Sequence, residues 1–341
     1  MIEFRPFVSF VIANCEDKFR RHDITVDTAD TDLDLIAAGI LDSFDLLNLA
    51  MALEDQHRLT MDFSVFTSDF DASFKGLYSC LTPEAGAPEP SPPPMPDTIL
   101  APIMDALVRA GVSTGDRIFL HSSALTLGLS RLDCADLLER LLAAIGPQGS
   151  IFAPAANVQA FQSGNFDIDN TPAHADFGWL SEAIRQHAGA SRSQNPFDSV
   201  AGLGPDAAQV CQGLEADCYG PQSPWSRLLG KDVKLIMLGI DFHYASIVHL
   251  AELQCQVPYR GWKEFFGKIR VNGAFKDVTL RLFAAEMNTQ RFYQKIADLP
   301  EMAGRFKTLD IKGGGYVASL DDVFNACCAA MRRAPRIFVE P

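Results

Sequence analysis

The 341-residue chain has eight cysteines but no C-x-x-C pair. Cys15, Cys80, Cys134, Cys211, Cys218, Cys255, Cys327 and Cys328 are scattered, which excludes the usual zinc spacings and a dense disulfide framework and leaves free thiols in a reducing cytosol as the simplest reading. No apolar run approaches the length that spans a bilayer. The short stretch over residues 7–14 follows Glu3 and runs into Glu16-Asp17, which a signal peptide would not do. There is no basic arm and no polybasic run, so direct binding to nucleic acid or anionic lipid is not expected. Gly313-Gly314-Gly315 lacks the Gly-Lys-Ser/Thr ending of a phosphate loop, since Lys312 precedes the glycines. From these absences a soluble cytoplasmic protein is expected, with no zinc site indicated.

The formal charge of −14 is unevenly spread. Residues 1–81 carry 15 Asp and Glu against six Lys and Arg, a net of −9, and such an acidic module suits docking against basic patches. Within it, apolar residues recur three and four apart at Leu46, Leu49, Ala50 and Leu53, which predicts an amphipathic helix starting near Asp42 and Ser43. Read locally, Ser43 is a helix N-cap. Read with its surroundings, Leu41-Asp42-Ser43-Phe44-Asp45-Leu46 and the helix ending Ala52-Leu53-Glu54-Asp55 resemble the modification site of acyl carrier proteins over residues 32–63. That resemblance implies covalent 4′-phosphopantetheine on Ser43, and a helix N-terminus is a favourable place for the phosphodiester. It also implies a phosphopantetheinyl transferase and an acyl-loading enzyme as partners. A first helix over 4–21, the Ser43 helix and short helices near 62–63 and 69–79 would complete an all-α four-helix bundle over residues 1–81.

Residues 82–97 are rich in proline and alanine and read as a semi-extended linker. From 98 to 341 the pattern alternates. Helices are expected over 99–110, 133–145, 178–187, 206–213, 223–229, 245–254 and 320–332, and strands over 116–121, 149–153 and 231–238. A hairpin is expected around Asn272-Gly273, between 267–271 and 276–282. The fold class that follows is a layered α/β domain whose sheet is covered by helices and made mixed by the hairpin.

In this half, His249 and Glu252 lie three apart on one helix face just after a strand, close enough for the carboxylate to orient the imidazole. The pair on its own also fits a solvated structural contact. Around it, Gly115-Asp116-Arg117-Ile118-Phe119-Leu120-His121-Ser122-Ser123, Gly146-Pro147-Gln148-Gly149-Ser150, Arg192-Ser193 with Pro196, Ser199-Val200-Ala201, Ser223-Pro224, Leu238-Gly239 and His249-Leu250-Ala251-Glu252 occur in the order seen in aminoglycoside 3-N-acetyltransferases. The resemblance covers residues 99–332. It implies that His249 is a general base held by Glu252, and that Ser246, in place of a family Thr, lies near the thioester carbonyl. It further implies that His121, Ser122, Ser123, Arg192 and Ser193 line the path of pantetheine and coenzyme A. Two departures stand out: Asn195 where many members have His, and His243 where an Asp precedes the catalytic His by six residues. Of the other histidines, His22, His57 and His187 read as surface residues and His174 as a loop residue with a possible place in the acceptor cleft.

Joined, the halves imply an N-acyltransferase that moves an acyl group from Ser43-phosphopantetheine to an amine of an amino sugar, a sugar nucleotide or a natural-product intermediate. The linker would raise the effective concentration of that donor. Two other readings stay open: a coenzyme A-dependent aminoglycoside 3-N-acetyltransferase, and a non-catalytic carrier and docking protein. The resemblance leaves room for a homo-oligomer.

Overall fold

The computed structural model describes residues 2–41, 43–57, 59–61, 71–83, 99–286 and 289–339. The chain divides into two compact units, Met1–Thr98 with Gly128–Ser130, and Ile99–Leu127 with Arg131–Pro341. Asp42, the expected helix near 62–63, and the expected linker from residue 84 onward lie outside the described residues.

In the first unit the expected helix over 4–21 is two helices, α1 (Phe4–Asn14) and α2 (Glu16–Arg21). The break falls at Cys15, whose φ of −124° and ψ of 32° are not helical, and beyond it Phe19 stacks on Phe74 with ring centroids 5.8 Å apart. Helix α3 (Ser43–His57) opens at Ser43, and the stripe Leu46, Leu49, Ala50 and Leu53 is buried as its spacing predicts. Each of those leucines contributes about 2 kcal/mol of apolar burial. The last helix, α4 (Phe74–Ser79), is capped by Ser73, whose hydroxyl accepts from the Gly76 amide at 3.1 Å. The all-α expectation needs correction: β1 (Leu59–Met61) pairs antiparallel with β2 (Leu81–Pro83), Met61 opposite Leu81. The ribbon buries Leu59, Met61 and Leu81, and β2 occupies the first residues of the expected linker.

The second unit begins with α5 (Leu100–Arg109), β3 (Arg117–Ser122), α6 (Ala124–Leu127), α7 (Arg131–Ile145) and β4 (Ser150–Pro154). It continues through α8 (Val158–Gln162), β5 (Phe166–Asp167), α9 (Gly178–Gln186), β6 (Ser191–Arg192), β7 (Val200–Leu203), α10 (Ala207–Cys211), α11 (Pro224–Leu228) and β8 (Val233–Leu238). Then come α12 (Ile247–Cys255), β9 (Arg260–Val271), β10 (Ala274–Ala285), β11 (Phe306–Thr308), β12 (Gly315–Ser319) and α13 (Leu320–Arg333). Seven strands form one sheet in the order β11-β12-β8-β3-β4-β7-β6, parallel at its centre (β8, β3, β4) and antiparallel on both flanks. Alternate residues of the central strands are all buried: Phe119, Leu235 and Met237 on one face, Ile118, Leu120 and Ile236 on the other. A sheet buried on both faces must be covered on both, as the sequence pattern predicts.

The hairpin does not make that sheet mixed. β9 and β10 pair over twelve residues each, much longer than expected, and with β5 form a separate three-stranded sheet. The two-residue turn Asn272-Gly273 has positive φ at both positions, 50° and 75°, the conformation that suits the twist of the flanking strands. The inner face of this sheet packs Phe166, Ile269, Val271 and Leu280 against Phe161 of α8. The antiparallel flanks of the main sheet come instead from short strands such as β6, β7 and β11, too brief to show an alternation. Among the described residues no helix is long and apolar enough to cross a membrane, and no cluster of His, Cys, Asp and Glu could hold a metal ion.

Candidate active site

The site is built where the parallel strands end. After β8, Gly239 turns the chain with φ 68°, and a Cβ there would lie 2.9 Å from Leu127 and 3.1 Å from the Ser123 carbonyl, so the turn requires glycine. A 3₁₀ turn, Phe242–Tyr244, leads into α12, which starts later than the expected residue 245 because Ser246 is its N-cap. Ile247, Val248, Leu250 and Ala251 are buried beneath it, and Gln256 closes it in the left-handed region at φ 47°.

On this helix His249 Nδ1 lies 2.9 Å from Glu252 Oε2. The Glu252 side chain is fully buried and His249 keeps 27% of its side-chain surface exposed, so the imidazole is the member of the pair that meets solvent. A buried carboxylate needs partners for every lone pair, and Glu252 has them. Its Oε1 accepts from the hydroxyls of Tyr259 (2.9 Å) and Tyr293 (2.7 Å), and Oε2 is paired with Arg260 at 2.8 Å. Burial opposes its ionisation, yet the His249 hydrogen bond and the charges of His249 and Arg260 outweigh it and bring the carboxyl down to about 2. Burial pulls His249 below the ordinary imidazole range, with the Glu252 bond acting against that and the charges of Arg260 and Arg291 adding to it. The pair therefore consists of a carboxylate and a neutral imidazole near pH 7. Arg260 Nη2 also lies 3.0 Å from Nδ1; the ionised Glu252 beside it favours the tautomer with the proton on Nδ1, which leaves the Nε2 lone pair free.

His249 is walled by aromatic rings. Tyr293 meets it edge-on at 5.8 Å and Tyr219 at 5.6 Å; Tyr219 lies 5.8 Å from Trp225, and Trp225 lies 6.4 Å from the stacked ring of His121. His121 at the end of β3 is thus joined to His249 through two rings. It is buried, its Nε2 has no partner among the described residues, and burial holds it down to about 3. Beside it, Ser123 and Thr126 share a 2.8 Å hydroxyl contact at the start of α6, and Ser122 is half-buried. Ser246 is half-buried one turn before His249, and its hydroxyl makes no capping bond. An orphaned ring nitrogen and two half-exposed serines at the ends of parallel strands fit an extended polar ligand such as a pantetheine chain.

Other expected ligand residues prove structural. Arg192 spends its guanidinium on the protein, donating to the carbonyls of Ile168, Thr171 and Ala155 and to Ser199 Oγ at 3.2 Å. Ser193 is buried and its Oγ accepts from the Val200 amide at 2.9 Å. These bonds tie the β6 segment to its neighbours, and Arg192 also lines a cleft with Ile168, Asp169, Arg185 and Gln194. Asn195 is also buried: it donates to the Glu215 carbonyl at 2.9 Å and to Cys218 Sγ at 3.4 Å, fixing the loop that carries Tyr219. His243 is exposed, with Nδ1 3.2 Å from Gln294, and its ring lies 6.0 Å from Tyr293. His174 caps the 3₁₀ turn Ala175–Phe177, while His187 is half-buried and not simply a surface residue, with Nε2 3.4 Å from Glu139. His22 and His57 are exposed.

Sequence reasoning missed Tyr219, Tyr259, Arg260 and Tyr293. Tyr293 is 41 residues from the carboxylate it serves and carries no local signal. Tyr259-Arg260 could have been noticed as a Tyr and an Arg at the start of a strand, directly after Pro258.

The profile of aminoglycoside 3-N-acetyltransferases matches residues 119–314, more than half of the chain. The chain belongs to the aminoglycoside 3-N-acetyltransferase family. Among curated relatives, aminoglycoside N(3)-acetyltransferase IV of Salmonella sp is 30% identical over 160 residues, 47% of this chain and 60% of the relative. Aminoglycoside N(3)-acetyltransferase IX of Micromonospora chalcea is 25% identical over 208 residues, 54% of this chain and 74% of the relative. The match thus spans less than two thirds of the Salmonella enzyme. The crystal structure of aminoglycoside acetyltransferase AAC(3)-Xa superposes with a TM-score of 0.61 at 22% identity, covering 69% of this chain and 93% of that one. AAC-IIIb, solved as a binary complex with CoASH, gives 0.61 at 21% identity over 72% and 98%. These likenesses establish the fold of this family member.

Proposed function

We propose that the chain is an N-acyltransferase that moves an acetyl or similar acyl group from a coenzyme A thioester to an amine of a small polar acceptor of the aminoglycoside kind. The observation that carries this is the buried Glu252 carboxylate holding His249 Nδ1 at 2.9 Å while the imidazole keeps a face to solvent. His249 Nε2 takes the proton from the attacking amine as its nitrogen adds to the thioester carbonyl. The tetrahedral intermediate then collapses, the C–S bond breaks, and the thiolate leaves with the proton returned from the imidazole. Glu252 steadies the transient imidazolium; Tyr259, Tyr293 and Arg260 keep Glu252 ionised and fixed. Ser246, at the mouth of α12, is placed by the reading at the carbonyl oxygen. Family membership and the coenzyme A-bound relative favour free coenzyme A thioester as donor.

A second donor is favoured by a separate observation in the first unit. A cleft of about 490 Å³ is lined by Lys18, Arg21 and His22 at the end of α2, with Lys18 paired to Asp45, and by Ile36, Gly39, Ile40 and Leu41 from the segment before α3. Basic and apolar groups side by side suit a phosphate-bearing arm, so Ser43 bearing phosphopantetheine, which would carry the acyl group as a thioester, remains the carrier reading of this unit. Amino sugars, sugar nucleotides and natural-product amines are the acceptors to survey.

The test is acetyl transfer from acetyl-coenzyme A to sisomicin by the purified chain and by His249→Ala. Turnover is expected in the parent and a loss of at least about 100-fold in the variant. Retained transfer in His249→Ala would overturn the base assignment.

A further inference from the structure

Three tyrosines surround the His249–Glu252 pair, and they are not equivalent. Tyr259 and Tyr293 have spent their hydroxyls on Glu252 Oε1. Tyr219, edge-on to His249 at 5.6 Å and 9% exposed, makes no side-chain hydrogen bond among the described residues. The hydroxyl keeps contact with solvent and, unlike those of Tyr259 and Tyr293, is not spent on the protein, so a ligand beside His249 can take it up.

The chain also incurs a cost to put it there. Tyr219 has φ 61°, the left-handed region that bulky residues rarely adopt. Its backbone amide is anchored by the Asp198 carboxylate at 2.7 Å, and Asp198 is only 3% exposed with its other oxygen unpartnered. The Asp198 carbonyl in turn accepts from Trp225 Nε1 at 3.1 Å. On the other side, Cys218 and Ala216 exchange backbone hydrogen bonds with Arg281 of β10, 2.8 Å each. Next in chain, a Cβ at Gly220 would come within 2.8 Å of the Asp217 carbonyl. A buried carboxyl, a strand and an obligatory glycine together hold one tyrosine in a strained conformation facing His249.

We infer that Tyr219 is a catalytic residue whose hydroxyl donates to the acyl carbonyl oxygen as negative charge develops on it, working with Ser246, and that Asp198 is its positioning residue. This rests on the acyltransferase reading. Burial, with the charge of Asp198 adding to it, pushes the Tyr219 phenol well above its ordinary range, so it stays protonated and can donate. Acyl transfer through a tetrahedral oxyanion needs such a donor, and the removal of one costs about 100- to 1,000-fold in kcat.

The experiment compares the parent, Tyr219→Phe and His249→Ala on two readouts. In the first, [1-¹³C]acetyl-coenzyme A is bound to each and the carbonyl resonance recorded; hydrogen bonding in the parent moves it downfield of the free thioester, and Tyr219→Phe reverses most of that displacement. In the second, transfer to sisomicin should fall about 100-fold in kcat for Tyr219→Phe, with KM for both substrates changed less than about threefold. Thermal stability should be unchanged or slightly raised, because the lost hydroxyl had no partner; a structural role would lower it instead. An unchanged resonance together with kcat within about threefold of the parent would overturn the Tyr219 role while His249→Ala remained inactive and the acyltransferase reading stood. Failure of the parent to bind acetyl-coenzyme A would overturn both.

Discussion

Two serines stand at helix entrances in this chain, and among the described residues a set of hydrogen-bonded polar side chains is seen around the helix that follows Ser246. Ser43 is the first residue of α3 and Ser246 the N-cap of α12, and each is followed by an amphipathic stripe that the structure buries. By local pattern they are the same feature. Around α12, however, a Tyr-Arg pair from the start of β9, a tyrosine from the loop before α11 and another from the 3₁₀ segment Tyr293–Asp298 converge on His249 and Glu252. The residues before α3 instead line a cleft with Lys18, Arg21 and His22, in which Lys18 is paired with Asp45. A carrier site asks only for an accessible hydroxyl that another enzyme modifies, whereas a reaction centre must be assembled from distant parts of the chain.

The contrast breaks most forcefully at Glu252. Glu252→Ala leaves Arg260 buried without its counter-charge and strips two tyrosines of their acceptor, so activity should vanish and chemical denaturation should show a loss of about 3–5 kcal/mol. Full stability in that variant would mean the tyrosine–arginine shell does not depend on the carboxylate.

Next in size is acid sensitivity. His121 is held down to about 3 in the folded chain against an ordinary value of 6.5, so the unfolded chain binds its proton first as pH falls. Its contribution is fully present above pH 6.5 and drains away toward pH 3, about 3 kcal/mol of it between pH 7 and 4. Glu252, depressed from 4.5 to about 2, keeps its share above pH 4.5 and loses it as pH falls toward 2. Asp198 runs the other way: raised from 3.8 to about 7, it favours the folded state below pH 3.8 and ceases to do so as pH rises through 7. Over pH 7 to 4 the Asp198 gain offsets the His121 loss, so urea midpoints should change little in the parent and rise toward pH 4 in His121→Gln; the same profile in both would contradict the buried imidazole.

A smaller effect is expected at Asn195. Restoring the histidine that many relatives have would remove an amide holding both Glu215 and Cys218, at a cost of about 1–2 kcal/mol, with a rise in KM as the Tyr219 loop loosens. Smallest of all is Ser43→Ala, which should cost no more than about 1 kcal/mol and leave turnover with acetyl-coenzyme A untouched. The sharpening measurement is intact mass after co-expression with a phosphopantetheinyl transferase. A gain of one arm on the parent and none on Ser43→Ala would make α3 a carrier helix, and no gain on either would make it a capped structural one.

Much of this comparison was legible in residue spacing. The burial of Leu46, Leu49 and Leu53, the pairing of His249 with Glu252 across one helical turn, and the Asn272-Gly273 turn all follow from periodicities of a few residues. What was not legible is non-local. The β1–β2 ribbon joins strands of three residues, too short to alternate, and the membership of the hairpin in its own sheet depends on β5, a strand of two residues. Arg192 reads as a ligand by its position in the family pattern, whereas its bonds to main-chain carbonyls are encoded by no side-chain pattern. Tyr219 escaped because its importance lies in a backbone angle and in a bond it does not make.

The cysteines offer a way to watch the two units separately. All eight are free thiols, six of them buried, and burial pushes those of Cys134, Cys211, Cys218, Cys327 and Cys328 up, Cys211 to about 12. A thiol so protonated reacts with a disulfide reagent only when its surroundings open. Cys80 reports on the first unit and the other buried five on the second, so the labelling kinetics of a single unmodified sample, resolved by peptide mass, amount to a built-in clock for the breathing of each half.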